Sequence, residues 1–183
     1  MRKRLVLTSL LAVARLAVLV ASTAFAHGDN GGKKGSAKLS SYNEVPLTIS
    51  STGNGSFRLR VRSDGIQYTL RYEDLETDAS VAHIHFGKFW IAGGVIAFLC
   101  GGGDKPACPG REGEVTGTID AADVVGPANQ GIEAGSFSEV LRALRKGSVY
   151  VNVHTARFPG GEIRGQIENN GHGRKHDDRK RDK

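Results

Sequence analysis

The chain has 183 residues, which leaves room for one domain of ordinary size once a targeting segment and a tail are subtracted. Its 25 Lys and Arg residues exceed its 19 Asp and Glu residues, so the formal charge is +6. Between residues 39 and 167, however, 12 basic residues face 14 acidic ones, and the balance there is −2. The central part therefore lacks the electrostatic footprint of a DNA- or RNA-binding protein, and we expect no nucleic-acid partner.

Residues 1–26 are predicted to be a secretory signal peptide. They begin with basic residues, continue as an apolar stretch interrupted by Arg15, and end in Ala24-Phe25-Ala26, a small-x-small cleavage site. Retention as an anchor would place Arg15 near the middle of a membrane span, at a cost of roughly 2.5–3.5 kcal/mol. We therefore expect cleavage, no membrane span afterwards, and a secreted or cell-envelope location.

The rest of the chain divides by composition. Residues 27–37 are polar and rich in Gly and Lys, which predicts a flexible linker. Residues 38–168 form the predicted domain. Residues 169–183 hold six basic and three acidic residues and no apolar one, so they are predicted to be a disordered basic tail.

The domain is predicted to be all-β, because Gly is abundant and short apolar runs recur between turn residues. A first short strand is expected from Leu39 to Pro46, where Pro46 lacks a donor for the ladder. Within it Glu44 is interpreted as an edge charge, with a role in a site as the alternative.

A β-hairpin gives the clearest local signal. Apolar residues alternate from Phe57 to Tyr72 around an Asp64-Gly65 turn. Arg58, Arg60 and Arg62 lie on its wet side. We interpret them as solvation and as protection against edge pairing, with an anion-binding patch as the alternative.

The middle of the chain predicts two more strands and a disulfide. The uninterrupted apolar run 95–99 favours a strand buried on both faces, and 112–119 favours another. Phe89 and Trp90 are expected to plug one end of the fold, or alternatively to cover a pocket. Cys100 and Cys108 are the chain's two cysteines, and in an exported protein a disulfide is the simplest expectation.

One short helix is expected at about residues 136–146. Ser136 and Glu139 have the spacing of a capping box, apolar residues follow at helical period, and Gly147 provides the stop.

Three histidines are candidate metal ligands. His83 and His85 share one face of a predicted strand, and His154 lies on the more polar side of a later one. If the strands are neighbours, the three imidazoles converge and suit copper or zinc. The alternative is that they are sheet residues hydrogen-bonded to neighbours such as Asn152, Thr155 or Glu162.

Three separated motifs, in the right order, resemble the CHRD domain, the module repeated in chordin and found singly in many bacterial secreted proteins. They are Asn43-Glu44-Val45-Pro46, then Ala82-His83-Ile84-His85, then His154-Thr155 followed by Pro159-Gly160-Gly161-Glu162-Ile163-Arg164-Gly165-Gln166. The resemblance spans about residues 38–168 and implies a Greek-key-like antiparallel β-sandwich. Gly165 suggests a close approach by another chain segment, and a structural ion pair or network is expected for Glu162 and Arg164.

The His-x-His and Val-x-Val-His patterns are also similar to part of the copper site of copper/zinc superoxide dismutases. That similarity implies that His83, His85 and His154 stand where three copper-binding imidazoles stand. The zinc-bridging His, a zinc cluster and a steering Arg have no counterpart here, so dismutase chemistry is not expected.

Two functions follow. The first is a non-catalytic secreted or envelope binding module whose ligand is an unidentified extracellular protein or polymer, with no catalytic residues assigned. The second is a copper- or zinc-binding protein that uses the three histidines.

Overall fold

The computed structural model describes residues 33–170. The predicted signal peptide and almost all of the predicted tail lie outside these residues. The elements are β1 (Lys34–Ser40), β2 (Asn54–Arg62), β3 (Gly65–Glu73), β4 (Ala79–Phe86), β5 (Gly94–Cys100), β6 (Gly113–Ile119), α1 (Phe137–Arg145), β7 (Val149–Thr155), β8 (Ile163–Gln166) and β9 (Glu168–Asn169), with 3₁₀ turns at Ser41–Asn43 and Ala128–Gln130.

The strands form one antiparallel sheet that closes nearly into a barrel. Their order is β5-β4-β7-β8-β1-β2-β3-β6, and β9 pairs with β1. The two ends of this path approach each other, and the Tyr68 hydroxyl on β3 donates to the Leu99 carbonyl on β5 at 2.8 Å. The predicted all-β class with one helix is confirmed, with the strands joined in a continuous sheet.

Alternation along the strands fills the barrel with apolar side chains. In the β2–β3 hairpin, Phe57 is opposite Leu70 and Leu59 is opposite Tyr68, and all four are buried. The hairpin prediction is confirmed. On β7 the inward residues are three valines, at positions 149, 151 and 153, which leaves Tyr150, Asn152 and His154 on the other face.

Helix α1 packs through Val140, Ala143 and Leu144 and ends before Gly147, whose φ of +64° suits glycine. The helix prediction is confirmed, but the prediction of a capping box is wrong. The Ser136 side chain makes no capping hydrogen bond. Its backbone φ and ψ of −76° and 62° differ from the extended conformation that lets a cap hydroxyl reach the first turn.

The first strand differs from the prediction. β1 begins at Lys34, inside the range predicted as a linker, because residues 34–40 pair along their whole length with β2. The chain then leaves the sheet in the 3₁₀ turn at Ser41–Asn43, and Pro46 lies in an exposed loop.

The disulfide between Cys100 and Cys108 is confirmed, with a Cα–Cα distance of 4.9 Å. No helix within residues 33–170 has the length and apolar character needed to cross a membrane.

Candidate metal centre

The outward-facing side chains of β4, β7 and β8, together with Glu44, form a buried polar layer. Three loops contact it, at residues 41–46, 87–93 and 156–161. The members of this polar layer are Glu44, His83, His85, Tyr150, Asn152, His154 and Arg164, each 8% exposed or less. The layer is separated from solvent by the loops and from the barrel core by the sheet itself.

Strand pairing brings the histidines together. On β4 and β7, His83 is opposite Asn152, His85 is opposite Tyr150, and His154 is opposite Val81. The pairing of β4 with β5 is irregular next to both β4 histidines. Such irregularities bend a strand and re-aim its side chains.

The three imidazoles lie close enough to share one ion. His83 Nδ1 is 3.2 Å from His154 Nε2, and one nitrogen of each ring lies within 4.8 Å of the others. The ring centroid of His83 lies 5.2 Å from the ring centroid of His85 and 5.0 Å from that of His154. The predicted convergence is therefore present in the structure.

Main-chain carbonyls hold two of the rings. His85 Nδ1 lies 3.1 Å from the Gly93 carbonyl, and His154 Nδ1 lies 2.9 Å from the Pro159 carbonyl. A carbonyl only accepts, so each Nδ1 carries the proton and each Nε2 presents its lone pair. The partners expected from the sequence, Asn152, Thr155 and Glu162, are engaged elsewhere.

One nitrogen in this cluster has no partner. His85 Nε2 is fully buried and makes no hydrogen bond, and within residues 33–170 it shares that condition with one other side-chain atom, Gln166 Oε1. A buried lone pair without a donor costs free energy. A cation between the three rings would satisfy it.

Burial keeps the rings neutral near pH 7. Burial lowers the pKa of His83 to about 3, with further lowering from His154 and His85. Burial also lowers the pKa of His85 to about 4, against the opposing hydrogen bond to Gly93. The pKa of His154 is lowered by burial as well. The neutral imidazole is the form that binds metals.

Arg164 ties the 87–93 loop to the polar layer. Its guanidinium donates to the Lys88 and Ile91 carbonyls at 3.0 and 2.9 Å and lies 3.5 Å from the centre of the Tyr150 ring. The expected plug is wrong: Phe89 and Trp90 are 43% and 63% exposed. The loop is fixed through its backbone carbonyls, so its aromatic side chains point outward.

The edge-charge interpretation of Glu44 is also wrong. Its side chain is buried and accepts from Asn152 Nδ2 at 2.5 Å. Burial raises the pKa of Glu44 to about 7, opposed by the Asn152 hydrogen bond and by Arg164. Gly161 leaves the room for this pair, since a Cβ there would lie 2.6 Å from Asn152 and 2.8 Å from Glu44.

Glu162 and Arg164 belong to separate networks. Glu162 accepts from the hydroxyls of Ser51 and Thr155 at 3.0 and 2.8 Å and from the Glu76 N–H at 2.9 Å. The ion pair or shared network predicted for these two residues is therefore wrong, because Arg164 has its own partners, the Lys88 and Ile91 carbonyls and the Tyr150 ring.

Two further motif residues hold segments together. The Asn43 amide donates to the Arg164 carbonyl at 3.1 Å. A Cβ at Gly165 would lie 2.5 Å from the Lys38 carbonyl, which confirms the predicted close approach.

Fold and site together define an all-β barrel-like module that carries a buried polar layer with three converging imidazoles. The family model of the CHRD domain matches residues 35–167, and the chain belongs to this family. The chain matches no curated protein and no solved structure. Family membership supports a non-catalytic module in general terms and specifies no ligand.

Proposed function

We propose that this protein is an exported CHRD-domain binding module whose ligand is a transition-metal ion, copper in preference to zinc, held by His83, His85 and His154. The observation that carries the proposal is the buried, unpartnered Nε2 of His85, a ring whose centroid lies 5.2 Å from that of His83 and 6.1 Å from that of His154. Each ring would contribute one nitrogen.

The distances support a shared ion. Two nitrogens bound to one ion at about 2.0–2.1 Å can lie no more than about 4.1 Å apart. The 3.2 Å between His83 Nδ1 and His154 Nε2 already meets this limit. The widest separation in the cluster, at most 4.8 Å, would have to close by roughly 0.7 Å for both nitrogens to bind the same ion.

The hydrogen bonds that two of the rings make with main-chain carbonyls also support a metal site. Metal-bound imidazoles usually donate their second N–H to a carbonyl or carboxylate, which fixes the tautomer and the ring orientation. His85 and His154 make such contacts with Gly93 and Pro159. On binding, the hydrogen bond between His83 Nδ1 and His154 Nε2 would be replaced by bonds to the ion, whereas the contacts with the two carbonyls would be kept.

The donor set favours copper. The cluster offers three imidazole nitrogens, and both cysteines are committed to the disulfide. For nitrogen ligands, divalent copper binds more tightly than the other first-row ions, including zinc. The exported location, supported by the signal-like residues 1–26 and by the disulfide, belongs to this proposal too.

The test is titration of the metal-free full-length protein with Cu(II) and Zn(II) against a competing chelator. We expect one tight Cu(II) equivalent, weaker Zn(II) binding, and at least 100-fold weaker Cu(II) binding in His83→Gln and in His154→Gln. The matched control is His172→Gln with His176→Gln, which removes two histidines near the C-terminus and should leave the tight site intact.

Thermal unfolding gives a second readout. Cu(II) at 100 times its dissociation constant should stabilise the wild type by about 2.7 kcal/mol, or roughly 5–10 °C for a chain of this size. The His83→Gln and His154→Gln variants should show no such increase. Absence of stoichiometric binding, or tight binding unchanged in both His→Gln variants, would refute the metal site. If the protein turned over a small substrate and His154→Ala abolished that activity, the proposal that the module is non-catalytic would be contradicted.

A further inference from the structure

The outer surface of β1, β2 and β3 carries a concentration of positive charge. We call it the basic face and define it by Lys34, Lys38, Arg58, Arg60 and Arg62, which alternate with inward residues along β1 and β2. Within these three strands the one carboxylate is Glu73, at the end of β3. A domain whose central part has a net negative charge thus presents one strongly basic surface.

Edge protection does not explain these cations. β2 pairs with β1 from Asn54 to Arg60 and with β3 along its entire length, from Asn54 to Arg62. It lies inside the sheet, so it has almost no free edge for charged side chains to protect. The edge-protection part of the interpretation is wrong, because the arginines alone do not show which strands lie on either side of β2; the exposure of Arg58 and Arg62 agrees with the solvation part.

The register makes the charge costly for the fold. Lys34 is directly opposite Arg60 in the antiparallel β1–β2 pair. Like charges at directly opposed positions destabilise a sheet. A carboxylate at either position would relieve the repulsion, so the pairing favours an anionic ligand over a purely structural role.

Nearby carboxylates offset part of this charge, and Glu168 of β9 lies opposite Ser36, between Lys34 and Lys38 of β1. Arg71, further along β3, is paired with Glu114 of β6. Glu168 of β9 lines a groove of about 760 Å³ together with Lys38 and Arg58. Arg60 is opposite the neutral Gln67 of β3, and the neutral Asn170 lines the same groove as Lys34 and Arg60.

The surface around Lys34 and Arg60 has the groups needed to bind an anion, but it has no exposed aromatic ring on which a nucleic-acid base could stack. A groove of about 360 Å³ is lined by Lys34 and the three arginines, with Gln67 and Thr69 as neutral hydrogen-bonding groups. Tyr68 also lines it, but this residue is buried and its hydroxyl is bound to Leu99 inside the barrel. The groove therefore offers charge and hydrogen bonds but no exposed aromatic ring for a base.

The length of the row indicates a polymer. Alternate residues on a strand lie about 6.6–6.8 Å apart, so the span from Arg58 to Arg62 is about 13 Å. A single phosphate contacts one or two guanidinium groups, whereas a chain of phosphates can contact all three. Arginine forks also match phosphate oxygens in a bidentate way.

We propose that the basic face binds a linear phosphate-bearing polymer that runs along β2. The polymer's charges pair with Arg58, Arg60 and Arg62 in succession, and Lys34 supplies the adjacent positive charge. This binding is independent of the three histidines.

The test uses the full-length protein, with EDTA present, and long-chain polyphosphate as the probe in isothermal titration at low salt. Arg58→Gln with Arg60→Gln should weaken binding at least tenfold and reduce the salt dependence by about two counterions. The control, Arg145→Gln with Lys146→Gln, removes the same charge beside α1 and should change affinity less than twofold. Equal weakening in both double variants would overturn the proposal, because it would show general charge attraction.

Two further measurements distinguish the alternatives. Oligo(dT), heparin and polygalacturonate should each bind more weakly per charge than polyphosphate. Tighter binding by heparin or polygalacturonate would overturn the assignment to a phosphate polymer, and tighter binding by oligo(dT) would show a nucleic-acid site and overturn the argument from the missing aromatic ring. In the free protein, Arg60→Gln should raise the low-salt melting temperature, because it removes the repulsion from Lys34. A lowered melting temperature would instead show that Arg60 stabilises the fold, and would contradict the argument from its repulsion with Lys34.

Discussion

Replacement of Glu44 by Gln should remove a pH-dependent loss of stability. In the folded protein the Glu44 carboxyl is buried beside Asn152, and burial raises its pKa from 4.5 to about 7. Gln keeps a side-chain oxygen that can accept from Asn152 and does not titrate. The comparison therefore isolates the cost of ionising this one buried group.

The sign and size of the effect follow from linkage. The folded state holds the Glu44 proton more tightly than the unfolded state, so the stabilisation is complete below pH 4.5 and is lost as the pH rises through 7. A shift from 4.5 to about 7 corresponds to about 3 kcal/mol. The free energy of unfolding of Glu44→Gln should therefore rise relative to wild type by about 3 kcal/mol between pH 4 and pH 8.

Urea unfolding in the presence of EDTA, at several pH values from 4 to 8, measures this difference. The buried histidines are present in both proteins and cancel in the comparison. Arg145→Gln is the control, because it alters an exposed charge that does not titrate in this range. A constant difference between Glu44→Gln and wild type at all pH values would show that Glu44 ionises in the folded protein as easily as in the unfolded chain, and would refute the argument.

Three other substitutions test the packing around the site. Gly161→Ala should cost about 2–3 kcal/mol of folding stability, because φ is +129° and the new Cβ would meet Asn152; Gly160→Ala, with open space at its Cβ, is the matched control and should be nearly neutral by urea unfolding. Arg164→Lys should cost about 2–4 kcal/mol and speed amide exchange in residues 87–93, since a point charge cannot hold two carbonyls and stack on a ring; unchanged exchange would contradict its role in fixing the loop. Ser at both Cys100 and Cys108 should lower stability by about 2–3 kcal/mol, and no loss would show that the short loop is already ordered without the bond.

Local signals explain the parts of the fold that the sequence predicts. The β2–β3 hairpin carries its own alternation and turn, α1 carries its own periodicity and stop, and the cysteine pair is unique within the chain. None of these predictions requires knowledge of which strands are neighbours. β1 was missed as far back as Lys34 because its polar residues become a strand only by pairing with β2.

The missed site residues depend on distant partners. Glu44 is buried only because Asn152 and Gly161, more than 100 positions later, close around it. The exposed position of Phe89 and Trp90 follows from Arg164, which fixes their loop from below. Asn152 and Gly161 do stand beside recognised motif residues, so a signal for a shared layer was present, but the contacts themselves were not.

The three separated motifs converge on the single polar layer, and this convergence bears on why the layer exists. Asn43 binds Arg164, Glu44 binds Asn152, and His83 meets His154. A buried polar network is seldom more stabilising than an apolar one of the same volume, so stability alone does not account for seven polar side chains under three loops. Among the buried side-chain atoms of this polar layer, His85 Nε2 is the one without a hydrogen-bond partner, and its ring belongs to the three-histidine cluster. A layer that hydrogen-bonds its other buried side chains and leaves that lone pair free is what a site for a cation between the three imidazoles requires.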